Sequence, residues 1–121
     1  MRSHSGHRRE RVATLIRQIL AQALATRVKD PRVGFVTVTG VTMSADLSHA
    51  TARVSVMGND EEKEQALNGL ESARGFLRSV IAGAAELRVT PDLHFALDRG
   101  LEHASRIDVL LKDLKPSEPG S

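Results

Sequence analysis

The chain has 121 residues, 40% of them apolar and 26% charged, which suits a single domain around one core. It contains no cysteine, which excludes disulfides, thiolate catalysis and cysteine zinc sites, and no apolar run approaches the ~18 residues that cross a bilayer. The net charge of +2 hides a division: residues 1–32 carry eight Lys/Arg against two acids, residues 33–121 nine against thirteen. A cationic block of this kind favours a polyanionic partner and makes association sensitive to salt. The first ten residues are basic without the apolar stretch of a secretory signal, so a cytoplasmic protein is expected.

In chain order, residues 1–7 read as a flexible arm, 8–114 as the folded domain and 115–121, with Pro116, Pro119 and Gly120, as a disordered tail. Val12, Leu15, Ile16, Ile19, Leu20, Ala23 and Leu24 recur at the spacing of a buried helical stripe. That helix should stop before Pro31, which disfavours helical geometry at Asp30, and Asp30-Pro31-Arg32-Val33-Gly34 reads as a turn. From Phe35 the period becomes two: Val36 and Val38 alternate with Thr37 and Thr39, and a phase slip to Val41 and Met43 suggests a bulge at Gly40. Ala50, Ala52, Val54 and Val56 form the second strand of an antiparallel hairpin.

Gly58-Asn59-Asp60 offers a helix N-cap, and Glu61, Glu62 and Glu64 suit a first turn. The stripe Ala66, Leu67, Leu70, Ala73, Leu77, Val80, Ile81, Ala84 keeps its phase across Gly75. Gly75 costs about 1 kcal/mol relative to alanine inside a helix, so a kink or a break into two helices is expected there. Leu93, Phe95 and Leu97 form a third strand, and Leu101, Ala104, Ile107, Leu110, Leu111 and Leu114 a last amphipathic helix. The expected architecture is α+β, with helices on one face of a three-stranded sheet and a C-terminal helix on or beside it.

Catalytic constellations are missing. The serines have no nucleophile-elbow context, the glycines match neither nucleotide fingerprint, and Asp30, Asp46, Asp92 and Asp98 sit at turns or element ends where aspartate caps. His49, His94 and His103 are scattered over different elements, without the spacing of a zinc site. Neither an enzyme, a cofactor nor a metal is expected.

Nucleic-acid binding has positive support. Arg8, Arg9, Arg11, Lys29 and Arg32 could contact phosphates. Arg74 and Arg78 flank the expected break, which would expose a new helix N-terminus to anions. With three Phe and no Trp or Tyr there is no stacking platform for splayed bases, so recognition should rest on backbone and shape.

Four ordered motifs are similar to those of the bacterial ribosome-binding factor A proteins: Val28-Lys29-Asp30-Pro31-Arg32-Val33-Gly34; Val38-Thr39-Gly40-Val41-Thr42-Met43-Ser44-Ala45-Asp46-Leu47; Ala73-Arg74-Gly75-Phe76-Leu77-Arg78; and Leu87-Arg88 through Pro91-Asp92-Leu93-His94-Phe95. The resemblance covers roughly residues 8–112. It implies a type II KH-like domain with an Ala-x-Gly kink at Ala73 and Gly75 in place of the Gly-x-x-Gly loop of ordinary KH domains. It further implies a monomeric, non-enzymatic factor that binds ribosomal RNA of the immature small subunit near the 5′-end helix and neck. Such a factor supports late rRNA processing and growth in the cold, and leaves with help from assembly GTPases. A generic KH-like RNA chaperone and a protein-interaction module using the hairpin edge are the alternatives. The segment after Asp98 departs from the family pattern, with Gly100 and Ala104 where serine and glycine are common.

Overall fold

Helix α1 (Ser3–Thr26) forms where the first apolar stripe predicts it, and Val12, Ile16, Leu20 and Ala23 are the residues it buries. Leu15, at the edge of that stripe, is left exposed. The computed structural model describes residues 3–98, with side chains from His7 onward; the expected C-terminal helix and the 115–121 tail lie outside the described residues. The stretch expected to be an arm over 1–7 is helical from Ser3, continuous with α1.

A single 3-10 turn, Pro31–Val33, follows. Pro31 sets its first residue, where a missing N–H costs nothing, and the Asp30 carboxylate caps it by accepting the Arg32 N–H at 2.9 Å. The turn lays Val33 in the core and leads into β1 (Val36–Met43), which pairs antiparallel with β2 (His49–Val56). The expected bulge is present. Pairing jumps from Val38 opposite Val54 to Gly40 opposite Arg53, leaving Thr39 as the extra residue.

Helix α2 (Asp60–Ala84) starts with a capping box: Asn59 Oδ1 accepts the Glu62 N–H and Glu62 Oε1 accepts the Asn59 N–H, both at 2.8 Å. It then crosses the sheet face and returns the chain to β3 (Asp92–Leu97), which runs parallel to β2 with Ala50 opposite Leu93 and Val54 opposite Leu97. The sheet order is therefore β1-β2-β3.

Both helices cover one face. Val38 and Met43, Ala50, Ala52 and Val54, and Leu93 point into it and meet Val12, Ile16 and Leu20 of α1 and Leu70, Leu77 and Ile81 of α2. Alternate residues, Thr37, Thr42, Thr51, Arg53, Ser55 and His94, form a hydroxyl-rich opposite face. The α+β architecture is as expected from the sequence.

The two-helix break at Gly75 is not there. The helix runs unbroken through Ala73, Arg74 and Gly75, because one apolar stripe through Leu70, Leu77 and Ile81 holds both halves to the same core. A Cβ built at Gly75 would have nothing within 4 Å. The glycine that α2 needs for packing is Gly69, where a Cβ would lie 3.0 Å from Val33 Cγ1 and 3.1 Å from Arg32 Cβ. Gly69 lets the 3-10 turn press against the helix backbone.

Candidate nucleic-acid interface

Three segments distant in sequence meet at the hairpin end of the sheet: the first turns of α1, the β1–β2 turn, and the connection that leads into β3. They enclose a cleft of about 440 Å³ lined by Arg8, Arg9, Arg88, Asp46, Leu47 and Ser48, among others. Arg8 and Arg88 are exposed and Arg9 half-buried, and none of the three forms an ion pair among the described residues. The cleft lining thus carries three arginines against one carboxylate.

That carboxylate belongs to the loop. Asp46 Oδ1 accepts the Ser48 hydroxyl at 2.7 Å, the Ser48 N–H at 3.1 Å and the Ser44 hydroxyl at 2.9 Å, while Ser44 Oγ accepts the His49 N–H. The Ser48 hydroxyl first, then its N–H and the Ser44 hydroxyl, hold the Asp46 carboxyl down at about 2. Leu47 has φ 63°, a left-handed conformation uncommon for a bulky residue. The turn is a fixed wall of the cleft rather than a loose loop tip.

The remaining expected contacts separate. Arg74 and Arg78 line a smaller groove of about 330 Å³ with Asp92 and His94. Both are compensated there: Arg74 Nη1 lies 3.5 Å from Glu71 Oε1, and Arg78 Nη2 3.6 Å from Asp92 Oδ1. Arg78 also donates to the Pro91 carbonyl at 3.1 Å and the Thr90 carbonyl at 2.9 Å. Arg78 therefore ties α2 to the start of β3, and an acidic substitution there would disturb the fold as well as any contact. With α2 continuous, no helix N-terminus opens beside these arginines.

Arg11 lies on the outer surface of α1 beside His7 and Glu10, outside the cleft lining. Lys29 stands exposed between α1 and the 3-10 turn. Arg32 is held by Asp30, with Nη2 2.6 Å from Oδ2 and Nε 3.0 Å from Oδ1. The Arg32 hydrogen bond keeps Asp30 below the usual carboxylate range and, reciprocally, raises Arg32. Arg32 therefore contributes little free positive charge.

Sequence reasoning missed Arg88, because its place beside Arg8 and Arg9 depends on the 85–91 connection lying against α1. It also treated His49 and His94 as scattered. The parallel register of β2 and β3 brings His49 Nδ1 to 3.0 Å from His94 Nε2 on the exposed face. No group of three or more metal-ligating side chains forms among the described residues. No described helix is long and apolar enough to cross a membrane.

Fold and site together define a small two-layer α+β module with an arginine-lined cleft at one end. A family model described as ribosome-binding factor A matches residues 8–111. A ribosome-binding factor A of Geobacter metallireducens is 43% identical over 94% of this chain and 97% of the relative. The crystal structure of the Thermus thermophilus protein of that name superposes with a TM-score of 0.66 at 26% identity, covering 74% of this chain and 94% of that one. A homology model of the Thermus thermophilus factor, fitted into a cryo-EM map of its 30S complex, superposes with a TM-score of 0.54 at 30% identity, covering 69% and 92%. The chain belongs to the ribosome-binding factor A family.

Proposed function

We propose that this protein binds ribosomal RNA on the immature small ribosomal subunit, near the 5′-end helix and neck, through the cleft formed by Arg8, Arg9 and Arg88. The observation that carries this reading is the set of three arginines lining one cleft, without ion-pair partners among the described residues, beside a hydrogen-bonded turn. Guanidiniums suit phosphate oxygens, which they can hold bidentately, and a cleft lined by one sign of charge raises the local concentration of a polyanion. The relative fitted into a 30S map supports the small subunit as the target. Arg74 adds a weaker contact at the same end, and Lys29 and Arg11 contribute long-range attraction.

The factor works by binding and not by bond-making chemistry. It favours one rRNA conformation over others by contacting it better, and so shifts a folding equilibrium of the RNA. On this reading it is a cytoplasmic monomer of KH-like type that supports late rRNA processing, matters most in the cold, and is displaced with help from assembly GTPases. Low temperature fits such a role, because misfolded RNA then escapes more slowly and a conformational bias counts for more.

The test is crosslinking to immature subunits together with a charge-reversed cleft, Arg8→Glu, Arg9→Glu and Arg88→Glu. Crosslinks should centre on residues 8–9, 45–48 and 87–89. The triple variant should lose salt-sensitive co-sedimentation while keeping its circular dichroism. Crosslinks confined to the opposite end, or unchanged co-sedimentation, would remove the cleft from the mechanism.

A further inference from the structure

The end of the molecule opposite the cleft carries an apolar groove that RNA binding leaves unused. Phe35 and Met57 are 74% and 76% exposed, more than any other exposed large hydrophobic side chain in the described structure. They flank the point where β1 begins and β2 ends, and with Pro31 and Val56 they line a groove of about 430 Å³. One exposed apolar side chain needs no account, but two side by side at a concavity are the composition of a partner-binding patch.

The rim gives the sign of the partner. Glu61 and Glu62 line the groove, and Asp60 stands in the same first turn of α2. Arg32, the cation among the lining residues, is held by Asp30. The three carboxylates also outweigh the partial positive charge of the α2 N-terminus, so the groove repels phosphate. A surface that is apolar in its floor and acidic at its rim is complementary to a chain segment carrying Lys or Arg between Leu- or Ile-like residues.

We propose that this groove docks a basic, amphipathic segment of a protein partner, at the end of the molecule away from the RNA. Phe35 and Met57 take its apolar side chains and Glu61 and Glu62 pair with its cations. The proposal does not depend on the RNA reading. The two surfaces are separated by the eight-residue length of β1 and β2, roughly 25 Å of strand, so both can be engaged at once.

The test uses the full chain, isotope-labelled, titrated with a synthetic peptide of Lys and Leu at helical spacing; a Lys-only peptide serves as control. The amphipathic peptide should bind saturably and shift the Met57 methyl and the signals of Phe35 and Glu61. Phe35→Ser with Met57→Ser should weaken binding about tenfold. Glu61→Lys with Gln65→Lys, which spares the capping residue Glu62, should weaken it about fivefold. Co-sedimentation of the same variants with immature subunits should be unchanged, so the two surfaces fail or hold separately. The proposal is overturned if the shifts fall elsewhere, if neither variant pair alters affinity, or if the Lys-only peptide binds as tightly. It is also overturned if Leu110→Lys with Leu114→Lys moves the Phe35 and Met57 signals without peptide, since this chain's own C-terminal segment would then be the occupant. Concentration-dependent self-association lost on Met57→Ser would likewise replace the partner with a second copy.

Discussion

The two ends of the sheet both carry arginine, yet they differ in what those arginines are free to do. At the hairpin end, Arg8, Arg9 and Arg88 line a cleft with a loop whose one carboxylate, Asp46, is turned to its own serine neighbours. At the other end Arg32 is bound bidentately by Asp30, and the first turn of α2 supplies Asp60, Glu61 and Glu62. Basic residues of the same cationic N-terminal block, such as Arg9 and Arg32, therefore end in unlike electrostatic settings. The charge that matters for a polyanion is what remains after each fold-imposed neighbour is counted, rather than the local density of Lys and Arg.

That contrast makes its largest prediction for subunit binding. Arg9→Glu with Arg88→Glu should lower affinity for immature subunits about 100-fold at fixed salt and flatten the salt dependence by about two contacts. Lys29→Gln with Arg32→Gln should cost less than about threefold, because Lys29 lies outside the cleft and acts only through a salt-screened long-range attraction, and Arg32 is already held by Asp30. Comparable losses in quantitative co-sedimentation would erase the distinction between the ends.

Stability separates two positions along α2. Gly69→Ala pushes a methyl against Val33 and Arg32 in the 3-10 turn and should destabilise by about 1–2 kcal/mol in urea unfolding, despite alanine's better helix propensity. Gly75→Ala meets open space and should stabilise by about 0.5–1 kcal/mol without changing subunit binding. A destabilised Gly75→Ala protein would show that this glycine has a structural task after all.

The smallest effect concerns the cleft wall. With the folded-state pKa of Asp46 lowered to about 2 from 3.8, its contribution to the turn is present above the ordinary carboxylate range and lost as pH falls through about 2. Amide signals of Ser48 and His49 should move with that midpoint, and Asp46→Asn should abolish the transition. A midpoint near 3.8 would mean the turn is looser than its hydrogen bonds indicate.

Features that depend on neighbours in sequence were legible before the structure. The α1 stripe, the slip around Gly40, the Asn59 cap and the three strands each follow from a period or a cap signal spanning a few residues. The bulged residue proved to be Thr39, one place away. What was hidden depends on distant segments meeting. The α2 stripe places Gly69 on the buried side, between Ala66 and Ala73, and Gly75 off it, but nothing local shows that the 3-10 turn is what Gly69 touches. The pairing of Arg32 with Asp30 was within reach, since the two are separated by one proline, but the motif drew attention to charge rather than to its compensation. Arg88 and the His49–His94 contact required knowing that β3 lies parallel to β2. Of the family signature, the Ala73-Arg74-Gly75 stretch identified the relatives correctly while suggesting a helix break that the apolar stripe does not allow.

The parallel pairing of β3 also sets an order of events during folding. The β1–β2 hairpin closes over five residues, 44–48, whereas β3 can join β2 only after the 35 residues between Val56 and Asp92 have been brought back. Loop-closure entropy rises with that length, and non-local strand pairing is slow. Arg88 lies in the connection immediately before β3, so the cleft is completed after the hairpin, when β3 docks. A chain still emerging from the ribosome that synthesises it displays Arg8 and Arg9 on a helix but lacks the finished cleft. On the proposed reading, binding of ribosomal RNA through this cleft would be deferred until synthesis has passed β3.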